Sequence, residues 1–322
     1  MNGGRVVRVC EPLDGRILCV FLLIGDEGAV LIDTGGATTP EHTIAPALER
    51  CGLTWDDVRA VVVTHADVDH SGGLGAVRRL APRARTVAGA ADKPLIESVD
   101  RLLELRYREL ARDHGVDQDA EFGSWVRASA DDGTIDVAVA SDTRLRIDNG
   151  WSVDLLTAPG HSAGHLVVHD AASATTIAAD AVLGAGIPGS DGAPAFAPTY
   201  RYLGAYRATI ERLRGLGSRR LLCSHVPELR DAAVGEYLDA SAQFCERLER
   251  ELLTVLSAGS KPYTLAELIE GVGPRIGSWP PEANGTLAQP LAGHLDDLQL
   301  RGVVSALPGR PLRYAARHRR VV

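Results

Sequence analysis

The chain has 322 residues, 45% hydrophobic and 24% charged, with 34 Lys and Arg against 42 Asp and Glu and a formal net charge of -8. That length supports one large domain of roughly two hundred residues or more and a small one beside it. The acidic balance argues against a general nucleic-acid binder, because phosphate neutralisation needs a basic surface. Cys10, Cys19, Cys51, Cys223 and Cys245 form no CxxC pair and are odd in number, so they are expected to be buried free thiols in a reducing cytoplasm. The start of the chain lacks the apolar run of a signal peptide, and no stretch is expected to span a membrane.

In chain order, residues 17–24 and 29–32 predict two strands of a hairpin turning at Gly25-Asp26-Glu27-Gly28. Thr39-Pro40-Glu41 starts a helix whose apolar stripe is Ile44, Ala47, Leu48 and Cys51, and Gly52 ends it. A strand at 59–63, a helix through Leu80 and a strand near 85–88 follow. Residues 90–113 are charged and helical in period, with Leu95, Val99, Leu102, Leu103 and Leu110 on one stripe. Periodicity then weakens through 115–132, so 90–132 reads as an insertion of the kind that borders active sites. Further strands are expected at 137–139, 145–147, 151–156, 166–169, 175–179 and 220–223. A Gly-, Ala- and Pro-rich loop is expected at 184–198, and helices at 203–216 and 229–256. Beyond a breaker-rich link at 258–262, helices at 264–269 and 287–300 and a hairpin at 303–315 complete an α/β chain. From Gly259 onward eight Lys or Arg face five acids, so the main part carries the acidity.

The strand at 61–63 empties into Thr64-His65-Ala66-Asp67-Val68-Asp69-His70-Ser71, which sets two histidines and two carboxylates on one turn. Imidazole and carboxylate are the usual nitrogen and oxygen donors for zinc, iron and manganese, and a short β-branched strand is a stiff base for aiming them. The alternative is a capping turn with solvated histidines. Further polar residues stand where other strands stop: His161 and His165 after 151–156, Asp180 after 175–179, and His225 after 220–223. Ligands arriving from several strand ends are how a sheet builds one site at its edge.

The succession of motifs resembles a metallo-β-lactamase-fold hydrolase over about residues 15–230. Asp33 in Leu31-Ile32-Asp33-Thr34-Gly35 matches the first motif, His65 to His70 the second, His161 in Pro159-Gly160-His161 the third, Asp180 the fourth and His225 the fifth. The resemblance implies an αββα sandwich with a dinuclear metal centre at one edge. It divides the chain into a catalytic domain at 1–258 and a C-terminal domain at 259–322 similar to the winged helix that some members carry. Carried over residue by residue, His65, Asp67 and His161 would hold one metal, and Asp69, His70 and His225 the other, with Asp180 bridging. Asp33 is expected to orient a ligand histidine or nearby backbone, and Asp33 and Asp69 are the expected catalytic carboxylates.

The commonest second motif is HxHxDH, whereas here Asp67 makes it HxDxDH. An anionic oxygen donor shifts preference from zinc toward iron or manganese. The resemblance to diiron members, which carry a glutamate there, points the same way, and the shorter aspartate leaves open the loss of one metal. The implied chemistry is hydrolysis of an ester, thioester or lactone by a hydroxide bridging two divalent ions, acting on a small-molecule or carrier-bound acyl substrate. Tyr200, Tyr202 and His165 are candidate substrate contacts, with Tyr206 and His169 close by. Core packing is the other reading for the tyrosines, and a solvated or capping role for the histidines. A diiron oxidase or oxygenase on the same fold is the alternative, and a phosphodiesterase or nuclease a further one. A DNA-binding, ligand-sensing regulator would use Arg310, Arg313, Arg317, Arg319 and Arg320 against phosphates. The long helices and the tail suit a homodimer.

Overall fold

The computed structural model describes residues 4–258 and 261–317. The first sheet contains β1 (Arg5–Leu13), β2 (Arg16–Gly25), β3 (Gly28–Ile32), β4 (Val58–Val63), β5 (Arg85–Gly89) and β6 (Val137–Val139), in that spatial order. Its first pairings are antiparallel, and those from β3 to β6 are parallel. The second sheet takes β7 (Thr143–Arg146), β8 (Ser152–Thr157), β9 (Leu166–Asp170) and β10 (Thr175–Ala179). After a small hairpin of β11 (Ile187–Pro188) and β12 (Pro194–Phe196), it adds β13 (Arg220–Cys223) and β14 (Leu229–Arg230), in the order β14-β13-β10-β9-β8-β7.

Alternation along β2 explains how the layers stack. Cys19, Phe21 and Leu23 face the second sheet and meet Val153, Leu155, Val168 and Ile177, while Val20 and Leu22 face the helical layer outside. A strand buried on both faces reads as a continuous apolar run, and 17–24 is one. The outer layer of the first sheet is a π-helical turn at Pro40–Ile44 continuing as α1 (Ala45–Arg50), with α2 (Val68–Ser71) and α3 (Leu74–Leu80). The second sheet is covered by α8 (Leu203–Gly215) and α9 (Ala232–Ala258). The expected αββα sandwich is therefore the observed one.

Several elements differ from expectation. β1 lacks an apolar run because it is an edge strand, where Arg5, Arg8, Glu11 and Pro12 are tolerated, and its register with β2 supplies the order. The insertion is not one helix. It breaks into α4 (Lys93–Ile96), α5 (Val99–Leu102), a π-helical turn at Leu103–Tyr107, α6 (Ala111–His114) and α7 (Ala120–Ala128). Pro94, the Ser98 cap and left-handed Gly115 impose the breaks. Asp119 starts α7 by accepting from the Phe122 amide at 2.7 Å, so the weakly periodic stretch is helical after all. The loop at 184–198 also forms the short β11-β12 pair.

Cys10 and Cys19 are not free thiols. They are opposite one another in the β1-β2 register, with Cα atoms 4.1 Å apart, and form a disulfide, while Cys51, Cys223 and Cys245 stay free. The thiol count thus no longer argues for a reducing compartment. Among the described residues no helix is long and apolar enough to cross a membrane.

The C-terminal segment contains α10 (Leu265–Ile276), a 3₁₀ turn at Pro281–Leu287, α11 (Ala288–Leu300) and a hairpin of β15 (Val304–Leu307) and β16 (Arg313–Ala316). A capping box between Thr264 and Glu267 opens α10. The helix runs past Gly271 to Ile276, and at Gly273 it packs closely on Asn284, where a Cβ would stand 2.5 Å from the amide carbon. Its apolar residues share one core with α8 and α9. The expected boundary at 258–259 falls beside residues 259 and 260, which lie outside the described residues.

Candidate metal centre

The ligand-type residues converge at one edge of the sandwich, where β3, β4, β10 and β13 end. Side-chain donor atoms of His65, His161 and Asp180 lie within 4.8 Å of one another, as do those of Asp69, His70 and His225. Asp180 joins the groups, with Oδ2 3.2 Å from His225 Nε2 and 3.7 Å from His70 Nε2. A bulge at the end of β10 and a left-handed Ala179, at φ 46°, turn Asp180 inward.

Every histidine of the two groups is tethered at Nδ1, which leaves Nε2 to face the shared space. His70 Nδ1 donates to Asp33 Oδ2 at 2.9 Å, His225 Nδ1 to the Ile17 carbonyl at 2.8 Å, and His161 Nδ1 to the Thr199 carbonyl at 2.5 Å. His65 Nδ1 donates to Thr64 Oγ1 at 3.0 Å, and that hydroxyl donates onward to Asp33 Oδ2 at 2.9 Å. Asp33 Oδ1 accepts from the Thr64 amide at 2.7 Å. Buried Asp33 therefore ties both histidine groups to the ends of β3 and β4 from outside the centre, at a left-handed φ of 64°. Buried His65 Nε2, His70 Nε2 and Asp180 Oδ1 have no hydrogen-bond partner among the described residues. Burying such atoms unpaired is costly, and lone pairs aimed at one point suit a divalent cation.

The electrostatics agree. Burial pulls His70 down, but Asp180, Asp69 and Asp33 outweigh it and lift the ring to about 10. Burial likewise opposes ionisation of Asp180, yet His225 and His70 hold its carboxyl well below the usual range. His225 is raised, against burial, by Asp180 and Asp69. The cluster draws positive charge.

Asp67 is placed differently. Arg106, from the π-helical turn of the insertion, holds it bidentately, with Nε donating to Oδ1 at 2.9 Å and Nη2 to Oδ2 at 3.1 Å. Desolvation of the Asp67 carboxyl is outweighed by Arg106 and His161, which keep it well below its ordinary value. The extra negative charge expected at this position is thus offset by a resident guanidinium. Next along that turn, Tyr107 Oη accepts from the Val68 amide at 2.9 Å and pins the insertion to the ligand loop.

A cavity of about 490 Å³ opens above the centre. Asp69, His161, Asp180 and His225 form its polar floor, and Val68, Tyr107, Phe122, Trp125, Ile187 and Phe196 its apolar wall. Arg16 stands at one side, 3.5 Å from Asp69 Oδ2 and over the Phe196 ring. Thr286 of the C-terminal segment reaches the wall.

The family model described as Metallo-beta-lactamase superfamily matches residues 14–225, two thirds of the chain. The chain belongs to the metallo-beta-lactamase superfamily. Probable metallo-hydrolases of Mycobacterium bovis and Mycobacterium tuberculosis are each 29% identical over 178 residues, covering 47% of this chain and 52% of the relative. The chain therefore spans about half the length of the curated relatives it matches. Among solved structures, a metallo-beta-lactamase family protein from Thermus thermophilus is 24% identical, with a TM-score of 0.73 over 98% of this chain and 99% of its own. A beta-lactamase domain protein from Burkholderia ambifaria is 18% identical, with a TM-score of 0.70 over 98% and 93%. These likenesses show the fold, and they extend across the C-terminal segment.

The superfamily motifs were legible because each sits directly after a strand. The candidate substrate contacts were not. Tyr200 is fully buried, stacked on Tyr206 and bonded at 2.9 Å to His294 Nε2, and Tyr202 is exposed beside Arg201, so neither lines the cavity. His165 is also fully buried, stacked on His65 behind the centre, and is neither solvated nor at the cavity. His169 is buried too and pairs with Thr176. The sequence reading missed Arg106, Tyr107, Phe122 and Trp125, whose only signal was membership of a charged, helical insertion.

Proposed function

We propose that the chain is a metal-dependent hydrolase of an ester, thioester or lactone, acting on a small-molecule or carrier-bound acyl substrate. The carrying observation is that unpartnered, tethered imidazole nitrogens and carboxylates converge on the floor of an apolar-walled cavity. His65, His161 and Asp180 would hold one divalent cation and Asp69, His70 and His225 the other, with Asp180 shared between them. Bound there, the cations would supply water acidic enough to ionise near neutral pH and would polarise the scissile carbonyl. The six apolar and aromatic wall residues bind the acyl portion and exclude water around it. Asp33 fixes the tautomer of His70 and, through Thr64, of His65. Asp69 Oδ2 faces the cavity within 3.5 Å of His225 Nε2 and Arg16 Nη2, placed to take up a proton from the attacking water.

Zinc is the metal this reading favours, since Arg106 offsets the carboxylate that argued for iron or manganese. The segment from α10 to β16 reads as a winged-helix-like module serving the site wall through Thr286. Two of the arginines that a DNA contact would use are engaged within the chain, Arg313 with the Pro262 carbonyl and Arg317 with the Ser305 hydroxyl. Arg319 and Arg320 lie outside the described residues. Zinc-loaded protein is expected to turn over at least one member of a panel of aryl esters, acyl thioesters and lactones, and to stop after chelation. Silence across the panel, with oxygen uptake by reduced iron-loaded protein, would replace this reading with the diiron oxidase.

A further inference from the structure

The π-helical turn places a cation inside the ligand cluster. Arg106 is 5% exposed, and its Nη2 stands 3.1 Å from Asp67 Oδ2 and 3.3 Å from His161 Nε2, two atoms that are themselves 2.8 Å apart. With Nδ1 committed to the Thr199 carbonyl, Nε2 is the ring nitrogen that His161 can offer a metal, and the guanidinium and the Asp67 carboxylate both crowd it. Bidentate pairing fixes the guanidinium plane, and the turn itself is held by Tyr107 Oη at the Val68 amide and by Gln289 Nε2 donating to the Arg106 carbonyl at 3.3 Å. Among the described residues the other group has no such bidentate guanidinium: besides one another, Asp69, His70, His225 and Asp180 meet the Asp33 carboxylate, the Ile17 carbonyl and the more distant Arg16.

We propose that Arg106 makes the two metal positions unequal. By holding Asp67 it removes that carboxylate from the first ligand set and places a like charge beside any cation there. One divalent ion is then bound tightly through Asp69, His70, His225 and Asp180, and a second weakly through His65, His161 and Asp180. Arg106 is a positioning residue. The proposal rests on the metal-centre reading above but not on the identity of the substrate.

The test is zinc stoichiometry and affinity. Chelator-stripped full-length protein is titrated with Zn²⁺ by calorimetry and then desalted for elemental analysis, alongside Arg106→Gln, Arg106→Lys, His225→Ala and His65→Ala. The wild type is expected to keep one zinc through desalting and to show two binding steps. Arg106→Gln should tighten the weaker step about tenfold or more and keep two zincs, since Asp67 becomes a ligand. Arg106→Lys keeps the charge and should keep the wild-type pattern, which a merely structural role for the guanidinium fork would not predict. His225→Ala should lose the tight ion and His65→Ala should retain it. Two equal steps in the wild type, or a weaker step unmoved by Arg106→Gln in protein that melts like the wild type, would overturn the proposal. If Arg106→Gln fails to fold, Arg106→Lys and the two histidine variants still decide it. Wild-type protein that binds no zinc would sink the metal-centre reading itself, whereas unequal binding without turnover would sink only the hydrolase.

Discussion

Asp33→Asn isolates the work of the carboxylate that backs the centre. Asparagine keeps the size of aspartate and tolerates the left-handed φ of 64°, so backbone strain changes little. The hydrogen bonds cannot survive. Oδ2 accepts from His70 Nδ1 at 2.9 Å and Thr64 Oγ1 at 2.9 Å, and Oδ1 accepts from the Thr64 amide at 2.7 Å. If the new NH₂ replaces Oδ2 it meets two donors, and if it replaces Oδ1 it meets the amide donor, so either orientation leaves buried donors unpaired. Each costs about 1–3 kcal/mol. His70 can escape only by moving its proton to Nε2, which removes the lone pair aimed at the cation. We expect zinc affinity to fall roughly ten- to hundredfold, about 1.4–2.7 kcal/mol, read by competition with a chromophoric chelator. The metal-free protein should lose about 2 kcal/mol or more in urea unfolding. A loss of zinc affinity smaller than about threefold, in folded protein, would refute the argument that Asp33 sets the tautomer of His70.

Other expectations test the wall, the close packing and a buried histidine. Phe122→Ala and Trp125→Ala each remove an aromatic from the cavity wall and should raise KM about five- to tenfold for the longest accepted acyl chain while sparing kcat; equal KM values for the variants and the wild type would move the substrate elsewhere. Gly89→Ala would put a Cβ 1.8 Å from the Gly164 carbonyl oxygen, so the loop carrying His161 and His165 must shift. We expect about 3 kcal/mol of destabilisation, or some 6–12 °C in melting temperature, and an unchanged melt would show that the two backbones are not in contact. His294, under Tyr200, is buried and its pKa is lowered from 6.5 to about 3, burial being the main cause with Arg207 assisting. The native state keeps this ring neutral while the unfolded chain protonates it, so its contribution is complete above about pH 6.5 and is lost as pH falls toward 3, at up to roughly 1.4 kcal/mol per unit. His294→Gln should flatten the stability profile in that window, and parallel profiles for the two proteins would contradict the assignment.

The sequence by itself determined the sandwich and the positions of the candidate ligands, because both are short-range properties. A run such as Val61-Val62-Val63 specifies a buried strand, and the residues that follow it must stand at the sheet edge wherever that strand is placed. Asp33, His65, Asp69, His70, His161, Asp180 and His225 were legible for that reason. Other features needed the tertiary structure, because they depend on which elements meet. Arg106 is 39 residues from Asp67 and reaches it only because the insertion breaks into short helices with a π-helical turn between them. Tyr200 and Tyr202 carry the same local signal, yet one packs inward and the other faces solvent. Cys10 and Cys19 pair through the β1-β2 register, which no spacing rule for thiols reveals. Local periodicity sets where a side chain lies along its element, whereas packing between elements sets what it meets. Asp67 shows both: its place on the loop was written in the chain, and its partner was chosen by the fold.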